Sequence, residues 1–411
     1  MTCTRSAGET INAMPPLTLS AAQKLILSQV TTLAAENIPL SKANNRVAAA
    51  ALTAPSSVPA FPRSAMDGFA VNSRDLKKSR EEVRLAIIGE VAAGCTELPR
   101  LSRGAAIRIM TGGAIPPGAD QVVQVERCKS DRHQAMISLA PKPGAFIRHR
   151  GADLKKGQTI VRAGAPIAPQ HLALLAESGI NSLAAVRRPN MAILCTGSEL
   201  LETNATPETG QIIGGNRYLL AALAKDAGAR PQDMGLVADK LEKIVNSLKD
   251  ILQGPADIII TTGGMGPGKY DLLPQAFAQI GIKTLYHDLA VRPGRSTMFG
   301  IYGNKAVFAL PGPPPAVFLL FHELVKPALK KMQGCATPLS AVRRAMLTEE
   351  IVIKKKGVMN LKGAVAKIAG QKLMVRPARN LEPANSIIHI PAHRRGLAPS
   401  SMVNLRLLAP L

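Results

Sequence analysis

Asp257-Ile-Ile-Ile-Thr-Thr-Gly-Gly-Met-Gly-Pro-Gly-Lys-Tyr-Asp271 runs an apolar, β-branched segment straight into a glycine-rich turn with an acid at either edge. The first part has the composition of a buried strand, and Asp271 opens a helical pattern over Leu272 to Ile280. Gly263, Gly264, Gly266 and Gly268 fall within six positions. Lacking Cβ atoms, they let backbone N–H groups approach a phosphate or carboxylate. Asp271 is placed to cap the helix or to hold a cation beside such an anion. An ordinary strand-turn-helix joint looks the same locally, so the flanking sequence has to decide.

The flanks repeat the pattern. Strands are expected at Met191 to Cys195, Asp233 to Val237 and Ile258 to Thr261, alternating with helices at Asn216 to Ala227, Asp239 to Leu252 and Leu272 to Ile280. That is the βαβ rhythm of a parallel sheet. Two further strands, Met298 to Ile301 and Ala306 to Leu310, lead through Pro311-Gly-Pro-Pro-Pro315 into a last helix, Ala316 to Met332. Ligands of such folds gather at the carboxyl ends of the strands. Thr196-Gly197-Ser198-Glu199, Thr261 to Gly268, and Pro311-Gly312 all lie there.

Outside this region the pattern changes. Ser20 precedes apolar positions at helical spacing, which predicts an early helix, and a second helix is expected from Pro169 to Ser178. Between Phe61 and Phe146 come short runs such as Val83-Arg-Leu-Ala-Ile-Ile and Ala106-Ile-Arg-Ile-Met, which predict a β-rich insert within a helical domain. After Cys335, Glu350-Ile-Val-Ile, Lys372-Leu-Met-Val-Arg and Val403-Asn-Leu-Arg-Leu predict a small all-β domain.

Composition bounds the function. A chain of 411 residues exceeds one hydrophobic core and predicts several domains. With no Trp, four Tyr and eight Phe, base-stacking platforms for nucleic acid are not expected. The formal charge of +23 suits nucleic acid, anionic substrates or a source-wide bias equally and does not choose among them. From Thr337 to Leu411 thirteen Lys and Arg face three acids, including Lys354-Lys355-Lys356, and this reads as a solvated basic face. The odd, scattered cysteines (Cys3, Cys95, Cys128, Cys195, Cys335) have neither zinc nor redox spacing, as expected of a reduced cytosolic protein. No apolar stretch approaches the about 18 residues of a membrane helix.

Six motifs together carry a resemblance: Ser64-Ala-Met-Asp-Gly-Phe-Ala-Val71, Arg108-Ile-Met-Thr-Gly112, Arg150-Gly-Ala-Asp153, Cys195-Thr-Gly-Ser-Glu-Leu200, Thr262-Gly-Gly264 and Leu310-Pro-Gly312. Their order resembles that of the molybdopterin molybdenumtransferases, the MoeA and gephyrin E-domain family, over nearly the whole chain. The resemblance implies an α/β multidomain protein: a split helical domain (17–55 and 147–186), an inserted β-rich domain (56–146), a MoaB/MogA-like α/β domain with a parallel-type sheet (187–334) and a C-terminal β-barrel (335–411). It implies a cytoplasmic homodimer that takes adenylylated molybdopterin and molybdate, inserts molybdenum into the dithiolene and releases AMP, with Mg2+ as helper. A MogA-like adenylyltransferase and a molybdoenzyme are the implied partners. Neither a specific nucleic acid nor a membrane is implied. A non-catalytic relative, binding a molybdopterin-like ligand or acting as a scaffold, is the alternative.

By the same resemblance, Asp67, Thr111, Asp153, Glu199 and Asp239 match catalytic positions, and Asp271 with Glu199 matches the metal site. Asp67 also reads as a turn-capping residue before Gly68, and Asp239 as a helix N-cap. Thr196, Gly197, Thr262, Gly263, Gly264, Gly266, Gly268, Pro311 and Gly312 match the cofactor-binding loops. Arg292-Pro-Gly-Arg295 resembles the family's Lys-Pro-Gly-Lys-Pro, with guanidinium forks in place of ammonium groups, so Arg292 and Arg295 are expected to bind the anion. Ala152, Ser198, Gly214-Gly215, Asp288, Pro313 and Lys269 depart from the family's usual residues.

Overall fold

The computed structural model describes residues 15–76, 82–138, 142–265, 272–353, 356–379, 382–409 and 411. Gly266, Gly268, Lys269 and Asp271 therefore lie outside the described residues. The chain divides into two compact units, 37–185 and the remainder.

Unit 37–185 is built on a six-stranded mixed sheet in the order Gln121–Gln124, Gly68–Val71, Ala105–Ile109, Val83–Val91, Gln134–Ile137, Cys128–Ser130. Alternating side chains fill two cores, one per face: Phe69, Val71 and Leu85 on one, Ala70, Ile107 and Ile109 on the other. Asp67-Gly68 owes its glycine to this sheet and not to a turn. A Cβ on Gly68 would lie 1.9 Å from the carbonyl oxygen of Val123 on the neighbouring strand. The rest of the unit packs helix Pro169–Glu177 and the pair Leu52–Thr53 with Thr159–Val161 around Ile38, Val161, Ile167 and Leu175.

The second unit holds the α/β sheet and the barrel. The sheet order is Arg230–Val237, Asn190–Thr196, Ile258–Thr262, Lys305–Leu310, Met298–Tyr302, Lys283–His287. The first four strands are parallel as the βαβ rhythm requires. The last two are antiparallel, so the sheet is mixed, and strand Lys283–His287 is an addition to the sequence expectation. Ile258 and Ile260 face one helical layer while Ile259 faces the other, which is why this strand reads as uninterrupted apolar sequence. Five strands, Val342–Leu347, Met359–Ala369, Lys372–Pro377, Ser386–Ile390 and Met402–Leu407, close into the C-terminal barrel, since Met359–Ala369 pairs with both Lys372–Pro377 and Ser386–Ile390. The N-terminal helix Leu19–Gln29 starts one residue ahead of Ser20, and Thr18 caps it by accepting from the N–H of Ala21.

The last helix of the α/β domain is not continuous. Pro314–Leu320 and Lys326–Met332 flank one wide π turn, Phe321–Val325. Pro327 has no N–H to offer the carbonyl four residues back, that of Glu323. The side-chain amide of Gln23, from the N-terminal helix, donates to that carbonyl instead at 3.0 Å. The same amide donates to Oε2 of Glu323 at 2.9 Å, Nε2 of His389 sits 2.7 Å from Oε1, and Nε of Arg406 lies 3.0 Å from both oxygens. Glu323 is wholly buried. Burial alone would raise its carboxyl pKa, but the His389 hydrogen bond and the charges of His389 and Arg406 outweigh it and hold the pKa low.

Removing one member of such a group strands a charge, so Glu323→Ala is expected to lose about 3–5 kcal/mol of unfolding free energy in denaturant titrations. The sign of the pH effect follows from the lowered carboxyl. Glu323 contributes stability in full above the ordinary carboxylate range, and the contribution falls away as pH drops through the depressed folded-state value. Glu323→Gln is therefore expected to show a shallower acid decline in melting temperature than the parent, and an equal decline counts against the assignment.

Candidate active site

At the carboxyl edge of the parallel strands, loops meet through backbone approach. Thr196 ends its strand buried, and its hydroxyl donates to the carbonyl of Thr262 at 3.3 Å. Gly263 has φ +92°, and a Cβ there would stand 2.2 Å from the carbonyl oxygen of Thr196. Gly264, at φ +57°, would place a Cβ 3.1 Å from the Thr196 hydroxyl. These two glycines are thus required by conformation and by space together. The N–H of Gly263 donates to Leu310 at 3.2 Å, which ties the loop to the strand leading into Pro311-Gly312.

Asn216 completes this junction. At the start of helix Asn216–Asp226 it is nine-tenths buried, and its amide nitrogen donates to the Gly312 carbonyl at 2.7 Å and lies 3.5 Å from the Thr262 hydroxyl. A carbonyl accepts only, so this contact fixes which way the amide points and leaves Asn216 Oδ1 buried without a hydrogen-bond partner. The sequence offered Asn216 only as a neighbour of the departing pair Gly214-Gly215. Next to it, Arg217 is clamped by Asp233 and Glu202, both reached at 2.6 Å, and these carboxylates raise its already high pKa, with the Asp233 hydrogen bond leading.

On the first loop, Glu199 is exposed, and a Cβ on Gly197 would come within 2.8 Å of both its carboxylate oxygens. The carboxylate therefore lies against the backbone of Gly197. Asp239 is not an N-cap: its helix begins at Leu241, with Lys240 at the cap position. Instead it clasps the neighbouring loop, its Oδ2 accepting from the Ser198 N–H at 3.0 Å while its own N–H donates to the Ser198 hydroxyl at 2.9 Å. Ser198, a departure from the family pattern, supplies half of that clasp.

The basic turn is Arg292 to Arg295. Gly294, at φ +105°, packs so closely on Leu320 that a Cβ would meet it at 2.6 Å. Arg292 and Arg295 are exposed, and Asp288 pairs with Arg295 at 3.6 Å, so the acid found in place of a lysine is offset by an adjacent guanidinium. Among the described residues no hydrogen bond or ion pair joins Arg292 to the glycine loops.

In the other unit, Asp67 and Thr111 form one group. Both the N–H and the hydroxyl of Thr111 donate to Asp67 Oδ1, at 2.6 and 2.7 Å. These two bonds, the backbone one first, lower the Asp67 carboxyl pKa. The Thr111 hydroxyl is thus turned to Asp67. Asp153 is held by Nε of Arg148 at 3.1 Å and by Nη2 of the same guanidinium.

Two family profiles match: "MoeA N-terminal region (domain I and II)" over residues 17–179 and "Probable molybdopterin binding domain" over residues 192–331. The molybdopterin molybdenumtransferase of Bacillus subtilis is 32% identical over 387 residues, covering 91% of this chain and 90% of that protein. The chain belongs to the molybdopterin molybdenumtransferase family. The Haemophilus influenzae relative of the same name is 33% identical over 77% of this chain and 78% of its own length. A solved molybdopterin biosynthesis MoeA protein from Pyrococcus horikoshii matches with a TM-score of 0.78 and 28% identity, covering 96% of this chain and all of that one. Membership of this family places the chain in molybdenum cofactor biosynthesis. Among the described residues no helix is long and apolar enough to cross a membrane.

The two Thr111 bonds are separable. In Thr111→Val the hydroxyl contact is lost and the N–H contact is kept, so the Asp67 carboxyl should titrate higher than in the parent yet stay below the ordinary Asp range. Carboxyl carbon chemical shifts followed against pH read this directly, and an unmoved titration would refute the hydrogen-bond account.

Proposed function

We propose that this chain is a working molybdopterin molybdenumtransferase, using adenylylated molybdopterin and molybdate and releasing AMP. The observation that carries the reading is the junction of Thr196, Gly263, Gly264, Asn216 and Gly312 at one sheet edge. Its glycines let the Thr196 strand end and the Thr262 loop approach closely, and a buried amide ties helix Asn216–Asp226 to the Gly312 carbonyl. In this reading Thr196, Gly197, Thr262, Gly263, Gly264, Gly266, Gly268, Pro311 and Gly312 form the pterin-phosphate cradle. Arg292 and Arg295 supply cationic forks for the anion. Asp67 with Thr111 and Asp153 with Arg148 present oriented acids, and Asp239 holds the Glu199 loop through Ser198.

Mg2+ takes one or two carboxylates and fills its remaining positions with water and substrate phosphate oxygens. Glu199 fits that demand: it is exposed, lies against the Gly197 backbone, and among the described residues no hydrogen bond or ion pair engages its carboxylate. Asp271 is the second ligand of the proposal. Bound there, the ion would neutralise the phosphoanhydride oxygens as the adenylyl group departs. A homodimer in the cytoplasm, the four-domain division at 55/56, 146/147, 186/187 and 334/335, and a MogA-like adenylyltransferase and a molybdoenzyme as partners belong to the same reading. The resemblance over nearly full length supports them.

Purified protein incubated with adenylylated molybdopterin, Mg2+ and molybdate is expected to release AMP. Glu199→Gln and Asp67→Asn should each slow release by about a hundredfold. Ligand binding with no AMP release from the parent protein removes this reading in favour of a non-catalytic binding protein.

A further inference from the structure

The C-terminal barrel carries an open cavity of about 190 Å³ whose polar lining comes from Arg344, His389, Arg394 and Asn404, with Leu397 and Met402 among its apolar walls. The strand register explains why these groups meet. Arg344 lies directly opposite Asn404, and Asn404 directly opposite His389, on three adjacent antiparallel strands. Directly opposed residues share a face. That face is the outside of the barrel, since Ile388, Ile390, Val403 and Leu405 fill its interior, whereas Ile387 joins the core shared with the α/β domain. The row thus runs from the buried Glu323 group out to the open cavity.

Its chemistry is one-sided. The lining includes no acid, and among the described residues no hydrogen bond or ion pair engages the guanidinium of Arg344 or Arg394. His389, only 7% exposed, holds its Nε2 2.7 Å from Glu323 Oε1 and anchors the inner end of the row. Two uncommitted guanidinium forks and a side-chain amide form a donor set for an oxyanion, at the end of a row anchored by a buried carboxylate. The apolar walls suit a short carbon moiety.

We propose that this barrel cavity binds a small oxyanion of the phosphate class, as inorganic phosphate or as the phosphate group of a small monoester. The site shares no residue with the sheet-edge cradle, so it stands or falls independently of the reaction assigned there.

Full-length protein labelled at methionine methyl groups gives a local reporter in Met402. Adding inorganic phosphate at constant ionic strength is expected to move the Met402 methyl resonance saturably. Arg344→Gln and Arg394→Gln should each weaken the apparent affinity by about tenfold, as expected for a charged hydrogen bond, and the double variant should abolish the shift. Both arginines are exposed, so the variants should melt with the parent, and Arg292→Gln/Arg295→Gln should leave the Met402 response intact. Glycerol phosphate tests the ester arm in the same way, and a saturable shift with either ligand supports the proposal. No Met402 shift with either, an equal shift with chloride alone, or a shift that survives the double variant overturns it.

Discussion

A single carboxylate withdrawn from water holds the larger unit together. Glu323 sits on the wide turn of an interrupted helix, and its five hydrogen bonds come from Gln23 of the N-terminal helix and from His389 and Arg406 of two barrel strands. A buried charge of this kind tolerates little rearrangement, because each oxygen needs its donors in place. Pro327 fits the same logic. It removes a backbone donor at the point where Gln23 supplies one, so the irregularity in the helix and its external partner belong to one arrangement. The barrel, the N-terminal helix and the α/β sheet also share one apolar core that includes Ile26, Phe308, Phe321 and Ile387.

The candidate site obeys a different constraint, that of close backbone approach. At Gly263 the space that a side chain would take is filled by the Thr196 carbonyl, at Gly264 by the Thr196 hydroxyl, and at Gly197 by the side chains of Glu199 and Leu200. The site is therefore shaped by close packing around glycines, with Asn216, Ser198 and Asp239 acting as ties between its segments. Gly68 belongs to the same class, though what approaches it is a strand and not a ligand loop.

What the sequence disclosed follows from these two constraints. Strand Ile258–Thr262 was legible because burial on both faces leaves an uninterrupted apolar run. The flanking helices were legible because each has one apolar face. Strand Lys283–His287 was not, since Lys283 and Thr284 are exposed at a sheet edge and break the apolar signal. Its antiparallel pairing has no local signature either. The Glu323 group was invisible because its partners stand 66, 83 and 300 residues away in the chain. Asp239 read as a cap because an Asp before a helix usually is one, and only the Ser198 loop lying 41 residues back redirects it. The motif glycines were legible as a set, but that Gly68 answers to a strand and Gly263 to a loop is settled only by tertiary contact.

The short strand Val291–Arg292 adds itself in parallel to barrel strand Met359–Ala369, pairing Val291 with Met359 and Arg292 with Asn360. The basic turn is thus threaded from a ladder that belongs to the C-terminal domain. Its position is tied to the barrel through this ladder. The domain farthest along the chain therefore acts as the mounting for a cationic finger whose neighbours in sequence lie in the α/β domain.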